Sequence, residues 1–266
     1  MAASEEPEAP TEPLDVACGL ENMPVSVWPP GARPGPFQYS PDHVAGPGAD
    51  ADPSEITFPG CACLARPCVP GTCSCLHRVV QRGLQRPLQV FRTDGKGWGL
   101  RTLAFIPRGR FVCEYAGEVL GFSEAQRRIQ RQTEQDSNYI IAVREHVAGG
   151  RVMETFVDPA RVGNVGRFLN HSCEPNLLMV PVRVDSMVPR LALFAARDIS
   201  PGEELSYDYS GRFLNRSDGG DKGRPGSGKP RKPCFCGSAS CAAFLPYDAS
   251  LYCTPEKPAP GQEGEV

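Results

Sequence analysis

Arg167-Phe168-Leu169-Asn170-His171-Ser172-Cys173-Glu174-Pro175-Asn176 is the sharpest string in this chain of 266 residues. About thirty residues later comes Glu203-Glu204-Leu205-Ser206-Tyr207-Asp208-Tyr209, and upstream stand Lys96-Gly97-Trp98-Gly99-Leu100-Arg101 and Glu114-Tyr115-Ala116-Gly117-Glu118. Gly97 and Gly99 give a backbone that can turn tightly and approach a ligand closely. Asn170 offers amide donors and a carbonyl acceptor, and Tyr207 and Tyr209 fall on one side of a strand. Singly, the strings have plainer readings: a β-turn with a core tryptophan at Gly97-Trp98-Gly99, a structural histidine at 171, core aromatics at 207 and 209. A G-x-G-x-x-G nucleotide loop is excluded by the spacing and by the lack of a helical pattern after it.

Outward from these strings the chain reads as strands. Phe111–Leu120, Tyr139–Val143, Val152–Val157, Leu177–Val184, Leu191–Ala196 and Glu204–Tyr209 are short, rich in β-branched or aromatic residues, and separated by Gly, Pro, Asp or Asn. The clearest helix is Ser123–Gln135, with Ser123 and Gln126 as an S-x-x-Q capping box and Ile129 turned inward. The expected class is a compact, β-rich α+β domain.

Composition divides the chain. Residues 1–60 hold ten acidic residues against Arg33, with 12 Pro and 6 Gly, a mixture that predicts a disordered acidic arm. Residues 254–266 form a second acidic tail, also expected to be disordered, so the overall −3 conceals a net charge of +8 over residues 61–253. Residues 212–233 read as a flexible basic loop. No run is long and apolar enough to cross a membrane, and the acidic N-terminus is unlike a secretory signal. A soluble intracellular protein is expected. In a reducing compartment clustered cysteines are ligands rather than disulfides. Five stand at Cys61, Cys63, Cys68, Cys73 and Cys75, and three at Cys234, Cys236 and Cys241.

In their order and spacing the four strings resemble the SET domain of protein-lysine methyltransferases, from about residue 88 to 211. The resemblance implies an α+β SET fold, small sheets of short strands with a knot-like C-terminal crossing, plus small zinc-binding flanks. It implies that S-adenosylmethionine is held by Lys96, Gly97, Trp98, Tyr139, Arg167, Asn170 and His171. Tyr209 matches the family's catalytic tyrosine, with Tyr207 and Tyr139 as channel partners. Cys234-x-Cys236-x4-Cys241 is similar to a post-SET zinc motif (234–253), and Cys173 matches its fourth ligand. The five cysteines at 61–75 match the first run of a pre-SET cluster of nine. The second run is missing, which makes residues 61–87 a truncated remnant. Some relatives continue into a transposase, but past residue 253 only thirteen residues follow, so no DNA-cleaving chemistry is expected.

Methyl transfer to lysine needs an in-line approach, a deprotonated amine and exclusion of water. At neutral pH on the order of one free lysine in a thousand is unprotonated, and an aromatic channel beside a sulfonium disfavours the charged amine. A tyrosine at 207 takes the space of a further methyl, so mono- and dimethylation are expected. The resemblance favours a histone H3 tail lysine, lysine 36 first, on nucleosomes in the nucleus and on the chromosome, without specific DNA binding. The alternative, from the pre-SET deletion, is a catalytically impaired zinc-bearing chromatin interaction module.

Overall fold

The structure is a computed structural model and describes residues 14–57, 78–133, 135–146, 149–210 and 232–246. Its strands in chain order are β1 (Ser26–Trp28), β2 (Gln38–Tyr39), β3 (Val44–Ala45), β4 (Leu88–Thr93), β5 (Gly97–Thr102), β6 (Phe111–Glu114) and β7 (Gly117–Leu120). Helix α1 (Phe122–Arg131) follows, then β8 (Ile141–His146), β9 (Val152–Gly163), β10 (Asn170–His171), β11 (Leu177–Val182), β12 (Arg190–Ala195) and β13 (Glu204–Tyr207).

Three sheets surround one core. The first runs β1-β4-β5-β13-β10, the second β11-β12-β6, and the third β2-β9-β7-β3 with β8 on β9. Alternation dictates which side chains turn in. Leu88 and Val90 of β4, Leu100 of β5 and Leu205 and Tyr207 of β13 are buried with Val112, Leu191 and Leu193 of the neighbouring sheet and with Tyr115 just past β6. Each such side chain contributes about 1.5–3 kcal/mol on burial. The last strand lies between β5 and β10, antiparallel to the first and parallel to the second. That insertion is the C-terminal crossing expected of the fold, and it carries Tyr207 into the core.

The N-terminal segment departs from expectation. Residues 14–57 are not a disordered arm: β1 extends the first sheet as a parallel partner of β4, while β2 and β3 join β9 and β7. Val16, Ala17, Val25, Val27 and Tyr39 are buried in the main core. The Asp15 carboxylate ties the entry turn together, accepting from the backbone N–H groups of Ala17, Gly19 and Val25. Pro, Gly and acidic residues dominate the average composition, but a few apolar residues at strand positions suffice when the sheets they join already exist. Residues 1–13 lie outside the described residues, as do 58–77, with the five cysteines 61–75, and 254–266. Of the predicted basic loop, Lys232 and Pro233 are described, and they pair with the 243–245 segment.

Local readings shift too. Phe111–Leu120 is two strands, β6 and β7, in different sheets, with Tyr115-Ala116 passing between them. The helix starts one residue earlier and ends at Arg131, and its N-cap is Gly121, with no side-chain cap. A Cβ on Gly121 would lie 2.1 Å from the carbonyl oxygen of Gly48, so the close crossing with the N-terminal segment sets the start of the helix. Ile129 is buried, as its position on the helix predicts. Gly97-Trp98-Gly99 opens strand β5 rather than forming a turn, because β4 supplies partners for all three residues. Gly97 has φ +77°, and a Cβ on Gly99 would lie 2.6 Å from Thr93 Cγ2, which accounts for both glycines.

Candidate active site

Four tyrosines converge beneath the last strand. Tyr207 and Tyr209 have ring centroids 4.9 Å apart, and Tyr115 and Tyr207 5.9 Å in an edge-on arrangement. The Tyr115 hydroxyl donates to the carbonyl oxygen of Tyr139 at 2.5 Å. The Tyr209 hydroxyl donates to the Leu169 carbonyl at 2.8 Å. Burial raises the phenol pKa of Tyr115, Tyr207 and Tyr209 above the ordinary value. At physiological pH these groups are neutral hydrogen-bonding hydroxyls, suited to orienting an amine and unsuited to acting as phenolate bases.

Around this cluster lie the remaining predicted residues. The Arg167 guanidinium stands 4.9 Å from the Tyr139 ring centroid and 4.1 Å from that of Phe37, and it donates to the carbonyls of Pro159 and Ala160. Burial lowers its pKa. His171 and Tyr207 are register partners on one face of the β10–β13 pair, and His171 Nδ1 accepts from the Tyr209 N–H at 3.2 Å. Asn170 is on the opposite face. Its Nδ2 donates to the Trp98 carbonyl at 3.1 Å and to Glu204 Oε1 at 3.0 Å, while Glu204 Oε2 pairs with Lys96 Nζ at 2.6 Å. Tyr139, Tyr207, Tyr209, Arg167 and His171 thus form one group, and Lys96, Gly97, Trp98 and Asn170 an adjoining one across β5, β13 and β10.

Cys173, Cys234, Cys236 and Cys241 come together from segments sixty residues apart in the chain: their sulfurs all lie within 4.8 Å of one another. Cys173 Sγ and Cys234 Sγ are 4.0 Å apart. Tetrahedral zinc with bonds of about 2.3 Å to sulfur places its ligands about 3.8 Å from one another. The four thiols fit that ion, and His171 Nε2, 3.4 Å from Cys173 Sγ, connects the cluster to the tyrosines.

Two residues of the site went unassigned in the sequence. Tyr115 was within a recognised string, and its one signal is that a tyrosine follows a strand buried on both faces. Glu204 stands in a Glu-Glu pair whose members look equally solvated, yet one anchors Lys96 and Asn170 while Glu203 accepts from Asn176 and Arg197.

This fold and this site define a class. A family model for the SET domain matches residues 97–210, and the chain belongs to the SET-domain histone-lysine methyltransferases. It is similar to histone-lysine N-methyltransferase SETMAR of Bos taurus, 66% identical over 306 aligned positions that cover 100% of both chains. Since this chain has 266 residues, at least 40 of those positions are gaps in it. The crystal structure of the methyltransferase domain of human SETMAR superimposes with a TM-score of 0.76 at 61% identity, covering 90% of this chain and 99% of that one. SUVH6 of Arabidopsis thaliana in complex with SAM gives a TM-score of 0.65 at 28% identity, over 88% of this chain and 55% of that one. A complex of KRYPTONITE with mCHH DNA, H3(1-15) peptide and SAH gives 0.59 at 25%, over 91% and 55%.

Proposed function

We infer that the chain transfers methyl groups from S-adenosylmethionine to a lysine of the histone H3 tail, with lysine 36 favoured and mono- and dimethyl-lysine as products. The observation that carries this reading is the buried cluster of Tyr207 between Tyr115 and Tyr209, with the Tyr115 hydroxyl on the Tyr139 carbonyl. S-adenosylmethionine supplies a sulfonium methyl, taken by the lysine nitrogen as the carbon–sulfur bond breaks and the amine proton leaves to water. Tyr209 and Tyr207 orient the amine, and the four rings exclude water and disfavour its charged form. Aromatic faces also favour a methylated ammonium product. Lys96, Gly97, Trp98, Arg167, Asn170 and His171 hold the cofactor, with Glu204 fixing Lys96 and Asn170. Cys173, Cys234, Cys236 and Cys241 would hold one zinc ion that fastens residues 232–246 to the end of β10. Work on a histone tail implies the nucleosome as partner and the chromosome in the nucleus as the place of action.

Tyr207 limits the product because its buried ring, edge-on to Tyr115 and 4.9 Å from Tyr209, puts a hydroxyl in the space at the amine. In Tyr207→Phe the spectrum of methylated H3 peptide, read by mass spectrometry, shifts towards trimethyl-lysine. Dominant trimethylation by the wild type, or an unchanged product in the variant, refutes this assignment. A second reading rests on the cysteine count: five cysteines at 61–75 with at least 40 gap positions in the alignment leave room for a missing second cysteine run, which would make the chain an impaired zinc-bearing chromatin module. A titration with S-adenosylmethionine separates the two, since the module reading requires that no cofactor affinity be measurable.

A further inference from the structure

Residues 232–246 carry three of the four clustered thiols, and hydrophobic packing does little to hold them: no residue of the segment is buried, and both Phe235 and Phe244 are exposed. Backbone pairing folds the segment on itself. The Cys234 N–H donates to the Ala243 carbonyl at 2.9 Å, the Leu245 N–H to that of Lys232 at 2.9 Å and the Cys241 N–H to that of Ser238 at 3.2 Å. The contacts that tie this strap to the rest of the chain, besides the thiols themselves, are polar. Lys232 Nζ donates to the carbonyl of Asp136, in the loop before Tyr139. The Ala242 N–H donates to Cys173 Sγ at 3.4 Å. Glu174 Oε1 accepts twice from Ser240, from its N–H at 3.2 Å and from its Oγ at 2.6 Å.

The place of that last contact in the chain gives it meaning. Glu174 follows Cys173, and Ser240 precedes Cys241. One carboxylate oxygen therefore fastens together two backbone stretches that present ligands to the cluster from positions 66 residues apart. The charge of Glu174 does not account for its presence, since four thiolates around a divalent zinc carry a net negative charge that repels a carboxylate. What Glu174 offers is an acceptor at a fixed place. Metal affinity includes the entropy of ordering the ligands, and a segment already seated loses less of it when the ion binds. The consequence reaches the tyrosines, because Cys173 Sγ lies 3.4 Å from His171 Nε2 and His171 Nδ1 accepts from the Tyr209 N–H.

We propose that Glu174 is a positioning residue of the zinc strap: through Ser240 it seats residues 238–242 against Cys173 and preorganises the four thiols for one ion. The proposal rests on the zinc reading of the cluster. The test uses the full chain in competition for zinc with a chromophoric chelator, following the ion that Cys234→Ser lacks. Glu174→Ala weakens zinc affinity about tenfold, the lower end for an outer partner of metal ligands. Glu174→Gln keeps an oxygen acceptor without the charge. A neutral acceptor bonds about half as strongly, so this variant stays within about threefold of wild type. The double variant Glu174→Ala, Ser240→Ala loses no more than Glu174→Ala alone, because both remove one contact. Both positions are exposed, melting temperatures report folding, and Ser240→Ala, which removes the shorter of the two bonds, gives a second single variant. A wild type that holds no more zinc than Cys234→Ser overturns the zinc reading and this proposal with it. With that ion present in the wild type, unchanged affinity in folded Glu174→Ala, a Glu174→Gln as weak as Glu174→Ala, or additive losses in the double variant overturn this proposal alone.

Discussion

Phe37→Ala removes the ring by which the N-terminal segment grips the active-site arginine. In the folded chain that ring lies 4.1 Å from the Arg167 guanidinium and meets Phe168 edge-on at 5.7 Å, with Tyr39 at 6.2 Å. The cation–π contact contributes about 1 kcal/mol in a partly desolvated setting, and the edge-on pair about 1 kcal/mol. Burying half of a phenyl ring adds about another 1 kcal/mol. The variant should therefore lose roughly 3 kcal/mol, or about 6–12 °C in melting temperature for a chain of this size. Phe37→Leu, which keeps apolar contact but no ring, should lose about half as much. Thermal melts and urea titrations followed by circular dichroism measure both. Because Arg167 also lies over Tyr139, the affinity for S-adenosylmethionine should fall severalfold in Phe37→Ala. A loss below about 0.5 kcal/mol, the range of an ordinary surface change, would refute the docking of residues 14–57 on the catalytic domain and restore the disordered arm that composition suggests.

Other outcomes follow from the same structure. Burial outweighs the Arg190 guanidinium at Glu114 and raises its carboxyl to about 7, while Oε2 has no partner among the described residues. A raised carboxyl stabilises the fold below its unfolded value and loses that contribution as pH rises through the folded one. Wild type should thus lose up to about 3 kcal/mol relative to Glu114→Gln between pH 4.5 and about 7, and parallel pH–stability curves would contradict this. Cys234→Ser should lower the zinc content by one ion per chain, measured by plasma mass spectrometry, and weaken cofactor binding. An unchanged content would remove Cys234 from the ligand set. Ile129→Ala, at a fully buried position on α1, should cost about 2–5 kcal/mol by urea titration, and a cost near zero would mean that the helix does not pack as described.

Much of this was legible in the sequence because the informative residues sit in short, ordered strings. The tyrosines at 207 and 209, the Asn-His pair at 170 and 171 and the spacing of Cys234, Cys236 and Cys241 are local patterns. What could not be read depends on partners remote in the chain. Val25 and Val27 look like stray apolar residues among prolines until β4 supplies an edge for them to extend. Ser123 has the right neighbours for a capping box, yet the crossing of Gly48 over Gly121 moves the helix start. Tyr115 becomes a site residue through its hydrogen bond to the Tyr139 carbonyl, twenty-four residues away, and its ring contact with Tyr207, and Phe37 through an arginine far along the chain.

The central claim, a working methyltransferase site, is tested most directly by transfer itself. The zinc-loaded full chain is incubated with methyl-labelled S-adenosylmethionine and an H3 tail peptide containing lysine 36, and the product is read by mass spectrometry. The account predicts mono- and dimethyl-lysine from the wild type and a loss of at least about a hundredfold in Tyr209→Phe with its fold intact. No transfer to any H3 lysine by the wild type, or equal transfer by Tyr209→Phe, would contradict it.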